Sequence, residues 1–203
     1  MDLNAAAIPG LVETFFGYLA AGDSGAAVRM TDLPFDESAR DAPFIDDAAY
    51  QSFSDRPTLR EVGEPQVSDD GNRADVDVTY AVGESERTES IELEFVKAAN
   101  GVPDHWVFLI DTACAGFDAS DASLLPDGTR YSVNGVDVTA AFSNLAGASP
   151  RVMAFAGTYP IEVAVAGEQP ATVTITIDVD TLFRASDDDG KFRDLAAQLG
   201  VTR

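Results

Sequence analysis

The run His105-Trp106-Val107-Phe108-Leu109-Ile110-Asp111 constrains the fold more than any other stretch of the chain. It is the most apolar run and holds the only tryptophan and the only histidine. It reads as the last strand of an N-terminal α+β domain, with the preceding helices and strands packed on it. Upstream, Arg73 to Val82 alternates, with Val76, Val78 and Tyr80 on one face and Asp75, Asp77 and Thr79 on the other. Glu89 to Lys97 does the same, Ile91, Leu93 and Phe95 against Glu92 and Glu94. Leu59 to Val67 is a further strand with a break at Pro65. Asp69-Asp70-Gly71-Asn72, Glu84 to Arg87 and Asn100-Gly101 are the turns. The pattern predicts an antiparallel sheet with one apolar face covered by helix and one acidic face in water.

The helix is Asn4 to Ala21, where Ile8, Leu11, Val12, Phe15, Phe16 and Leu19 recur at helical spacing. Pro9 falls in the first turns, where proline is tolerated. Gly22-Asp23-Ser24 ends it and caps a short helix from about Gly25 to Met30. Residues 31–56 read as irregular and acidic, with one short helix from Asp46 to Phe53. A domain boundary is expected at Asp118 to Ser123, which is small and polar. Beyond it the pattern is β only, with no helix. Asn134-Gly135 makes a hairpin of its flanks, Ile161 to Val165 is a strand, and Ala171 to Val179 is a long β-branched one. The domains are thus 1–117, an α+β unit, and 123–180, a small all-β sandwich-like module. Residues 181–203 follow as an acidic turn and a short helix over Lys191 to Leu199.

The chain's 203 residues suit two small domains, and 45% hydrophobic residues suffice for real cores. Asp and Glu total 35 against 13 Lys and Arg, a net charge of −22. Such a surface repels nucleic acid and anionic lipid and favours basic partners, divalent cations or a salty environment. Solubility is the plainer meaning of the same charge. Cys114 is the single cysteine, so an intrachain disulfide and a cysteine metal cluster are both excluded. The N-terminus, Met1-Asp2-Leu3-Asn4-Ala5, lacks a basic region followed by an apolar core, and no stretch is long enough to cross a membrane. Any anchor or signal would lie outside this chain.

The order helix, short helix, loop and long antiparallel strands resembles the nuclear transport factor 2-like (SnoaL-like) superfamily, a cystatin-like α+β cone. The resemblance covers residues 4–117. Its carriers are Phe15-Phe16-Gly17-Tyr18-Leu19-Ala20-Ala21-Gly22-Asp23 and the closing Trp106 to Ile110. The second domain is similar to PEGA-type β modules through Val133-Asn134-Gly135 and Ala156-Gly157-Thr158-Tyr159, with Ala156 where a proline is usual. Together the two resemblances imply a bacterial, extracytoplasmic part of a membrane-anchored or secreted protein, with the cone as an interaction or ligand module. A cytoplasmic location is the alternative.

Cone-fold isomerases, cyclases and dehydratases use an Asp or His base inside the cone and a Tyr or Asp on the enolate oxygen. The residues of those types here are His105, Asp111, Tyr18, Tyr50 and Tyr80. Six positions of strand separate His105 from Asp111 by roughly 20 Å, so they do not form a dyad. Cys114, nine positions from His105, has a small core residue as its simpler role. Asp187-Asp188-Asp189-Gly190 fails as a calcium loop, because Ala185 and Ala196 fall where ligands belong. No glycine-rich phosphate loop is present. No catalytic residue, metal site or cofactor is therefore assigned.

Two functional expectations follow. The first is a non-catalytic interaction module whose acidic face, with Asp75, Asp77, Glu92 and Glu94, docks a basic cell-envelope partner. The second is a cone cavity lined by Phe15, Tyr18, Tyr80, Phe95 and Trp106 that binds or converts a small apolar molecule. A homodimer is compatible with either.

Overall fold

The computed structural model describes residues 5–32, 47–98, 101–109, 115–118, 120–143, 151–155, 157–177 and 190–200. Helix α1 (Ile8–Ala21) is entered through a 3-10 turn at Ala5–Ala7. It buries Ile8, Val12, Phe15, Phe16 and Leu19, the stripe expected from its spacing. Each such side chain contributes about 1.5–3 kcal/mol on burial. The helix stops at Gly22, whose φ of +81° is left-handed. Its N–H donates to the Leu19 carbonyl at 3.0 Å, and that of Asp23 to Tyr18 at 2.9 Å. The Asp23 carboxylate then caps α2 (Ser24–Val28) by accepting from the Ala26 N–H at 2.9 Å. Helix α3 (Asp47–Gln51) is the short helix expected before the strands.

The architecture is α+β, with a curled antiparallel sheet, a half-barrel, and a second sheet. The first sheet runs β1 (Thr58–Val62), β3 (Arg73–Val82), β4 (Ser85–Val96), β5 (His105–Phe108), with β2 (Gln66–Val67) also on β3. Strands β3 and β4 pair from Arg73 opposite Glu94 to Val82 opposite Ser85. Val76, Val78, Tyr80, Ile91, Leu93, Trp106 and Phe108 are buried. The chain after α2 lies along β5, with the Phe108 N–H donating to Met30 and its carbonyl accepting from Asp32, both at 2.9 Å.

The second sheet runs β11 (Ala171–Ile177), β10 (Gly157–Ala164), β7 (Arg130–Val133), β8 (Val136–Asp137). Asn134 and Gly135, with φ of +48° and +83°, close the β7–β8 hairpin as a primed turn. Strand β6 (Ala115–Asp118) pairs with β9 (Arg151–Ala154). Tyr131 stacks on Phe142 of α4 (Thr139–Ser143) at 4.2 Å, and Phe192 of α5 (Lys191–Gln198) meets both rings edge-on.

Two local expectations need correction. Only Gly83 and Glu84 separate β3 from β4, so Glu86 and Arg87 are in the strand and not in a turn. The β4 side of this end is Ser85-Glu86-Arg87-Thr88, polar and largely exposed, so no apolar alternation marks it as strand. The part read as all β contains a helix, α4, started where the Asp137 carboxylate accepts from the Thr139 N–H at 2.8 Å. Strand β6 ends at Asp118, and Ser120–Leu124 is a 3-10 turn in which Ala122 is buried and Asp121 pairs with Arg193 at 2.9 Å. Asp111, Cys114, residues 33–46, Ala146 to Pro150 and Asp187 to Asp189 lie outside the described residues.

The buried side chains of the two sheets join in one cluster running from Ile8 to Ala196. Phe155 meets Phe15 at 5.9 Å and Tyr50 at 5.8 Å, and Phe53 meets Tyr159 at 4.6 Å. The Asn134 amide donates to the Ser52 carbonyl at 3.2 Å. Arg56 ties the helical layer together, donating from Nε to the Ala20 carbonyl and from Nη1 to Gln51, each at 2.9 Å, and to Phe53.

Candidate functional site

Of the five residues expected to line a cavity, the structure brings two together. Phe95 and Trp106 face each other across β4 and β5 with ring centroids 5.1 Å apart. Phe15 is buried, stacked on Phe108 at 4.4 Å. Tyr80 is buried against Phe16 at 5.5 Å. Tyr18 is 37% exposed on α1. The rings of Phe15, Phe16, Tyr80 and Phe108 thus occupy the space between α1 and the sheet at these positions.

Phe95 and Trp106 open instead on a cleft of about 420 Å³ between the start of α1 and the β4–β5 edge. Its other walls are Ala7, Gly10, Leu11 and Thr14 on the helix and Asp104 and His105 at the start of β5. The helical wall repeats at i, i+3, i+4 and i+7, a stripe beside the buried one. That spacing was readable in the sequence, but Ala7, Gly10 and Thr14 carry no apolar signal. Small residues at 7 and 10 keep the wall low, and a Cβ placed on Gly10 would find nothing within 4 Å.

The polar groups at the cleft are held by neighbours. Thr14 donates its hydroxyl to the Gly10 carbonyl at 2.7 Å. Asp104 accepts from the Ala98 N–H at 2.6 Å. His105 Nδ1 lies 2.9 Å from the Pro103 carbonyl. A carbonyl only accepts, so Nδ1 carries the proton and Nε2 of the neutral ring is an acceptor.

The other face of the sheet is acidic. Asp75 stands opposite Glu92, and Asp77 and Glu94 flank the pair. Like charges directly opposite each other destabilise a sheet. Here water screens them, and Arg73 approaches Glu92 at 3.8 Å with both side chains well exposed, a weak contact. Two further carboxyls are held below their ordinary range at turns. Asp70 is lowered first by the Ser68 hydroxyl and then by the Asn72 N–H, and Asp137 first by the Thr139 hydroxyl. Both are fixed by local turn geometry.

Among the described residues no group of three His, Cys, Asp or Glu is placed to hold a metal ion. No described helix is long and apolar enough to cross a membrane. Compared with protein-family models, with curated proteins and with solved structures, the chain matches none.

Proposed function

We propose that the protein is a non-catalytic interaction module that docks a basic partner on the open face of its first sheet. On this reading residues 1–117 are a nuclear transport factor 2-like cone, 123–180 a PEGA-like β module, and the whole works outside the cytoplasm of a bacterium. The observation that carries the docking role is the acidic face itself. Asp75 opposite Glu92, with Asp77 and Glu94 alongside, concentrates negative charge on a rigid ladder. Such a surface attracts cations over distances set by ionic strength.

The test is titration with an oligolysine peptide at low and moderate salt. Binding should weaken as salt rises. The fourfold variant Asp75→Asn, Asp77→Asn, Glu92→Gln, Glu94→Gln should lose about tenfold or more in affinity. Salt-independent binding, or full affinity in the variant, would remove the acidic face from the proposal.

A second reading, binding or conversion of a small apolar molecule in the cone, has the pairing of Phe95 with Trp106 in its favour. The filled space around Phe15 and Tyr80 argues against the deep form of that cavity.

A further inference from the structure

The cleft beside Trp106 has a one-sided chemistry. Apart from the Trp106 indole, its polar side chains present acceptors. The Thr14 hydroxyl proton is spent on Gly10, Asp104 is a carboxylate, and His105 turns its protonated nitrogen to Pro103. No Lys or Arg is among the lining residues. Two aromatic rings, Phe95 and Trp106, line the cleft beside these acceptors and offer apolar surface. An anion would meet the Asp104 charge and no opposing one. A neutral apolar molecule would use the rings and gain nothing from these acceptors.

We infer that this cleft binds a small organic ammonium ion with a flat apolar body, of the arylalkylamine class. The ammonium would sit toward Asp104 and His105, and the body would lie against Phe95 and Trp106, over the gap left by Gly10. The volume is within the range of small-molecule sites. This site does not depend on the docking role of the acidic face.

Trp106 is the only tryptophan and part of the cleft wall, so its fluorescence is a single-site signal there. The experiment is titration of the full chain with 2-phenylethylammonium, and in parallel with the similarly shaped 3-phenylpropionate, at moderate salt. A saturable response to the amine, at least about tenfold weaker for the acid, is expected. Asp104→Asn keeps an acceptor for the Ala98 N–H and should weaken the amine by about tenfold. Gly10→Leu should abolish the response while circular dichroism stays unchanged, since the new side chain enters open space. If Gly10→Leu does not fold, Gly10→Ala and Asp104→Asn carry the test. The fourfold acidic-face variant should respond as the parent does. No saturable response in the parent, an equal response to amine and acid, or an undiminished response in Asp104→Asn would each overturn the inference.

Discussion

Tyr131 is the clearest case of a residue whose surroundings change its chemistry. Burial among Phe142 and Phe192 pushes its phenol up from 10.0 to about 12. Its hydroxyl donates to the Ala122 carbonyl at 3.3 Å, a bond that needs the proton. A raised folded value means that the stability gained by keeping the phenol neutral is complete below pH 10.0 and is lost as pH rises toward about 12. Denaturant melts across that window should therefore show a steeper loss for the parent than for Tyr131→Phe. Equal slopes would mean that the buried phenol does not govern alkaline unfolding. Nothing in the sequence marks Tyr131 among the five tyrosines. Its burial depends on Phe142 and on Phe192, sixty-one positions away, counted as 192 − 131.

At the scale of elements, legibility follows whether a segment records its own environment. Strands β3 and β4 alternate because one face is buried and one wet, so their pattern is visible without their partners. Helix α1 is legible for the same reason. Strand β6, Ala115–Asp118, has no such pattern and exists through its pairing with β9. Pro160 reads as a lead-in to a strand yet lies within β10, where β7 has ended opposite Ile161 and no second ladder is interrupted. The Arg56 bridge between α1 and α3 was equally hidden, since one arginine in a polar stretch says nothing of three carbonyls waiting for it. Its removal has a defined expected cost. Arg56→Ala should destabilise the fold by about 1.5–3 kcal/mol in chemical denaturation, the range for hydrogen bonds to a charged group. A change within about 0.5 kcal/mol would mark the bridge as no more than a surface contact. The cleft sits between these extremes, since Phe95 and Trp106 stand out in the sequence as large apolar residues, whereas Ala7, Gly10 and Thr14 have the spacing but no apolar signal.

For the whole molecule, rings on and beside α1 and α3 pack with rings at and just before β10 of the second sheet. Phe155 reaches Phe15 and Tyr50, and Tyr159 reaches Phe53. Parts that bury each other's apolar surface tend to unfold together. Calorimetry should give one transition whose calorimetric and van't Hoff enthalpies agree. Two resolved transitions would mean that the sheets are energetically separate in spite of these contacts. The net charge of −22 acts on the same equilibrium, because self-repulsion favours expansion and is relieved by salt.

The contact between Phe15 and Phe155 spans 140 positions, 155 − 15. On the ribosome the first sheet can be complete by residue 108, yet its aromatic neighbours at 155 and 159 have not been made. At about 5–20 residues per second, the 47 residues from the end of the first sheet's last strand to Phe155, 155 − 108, take roughly 2–10 s. For that interval Phe15 and Tyr50 lack Phe155, and Phe53 lacks Tyr159. A nascent chain caught there presents a greasy aromatic patch to whatever is near, so the dangerous moment for this acidic chain comes in the middle of its synthesis.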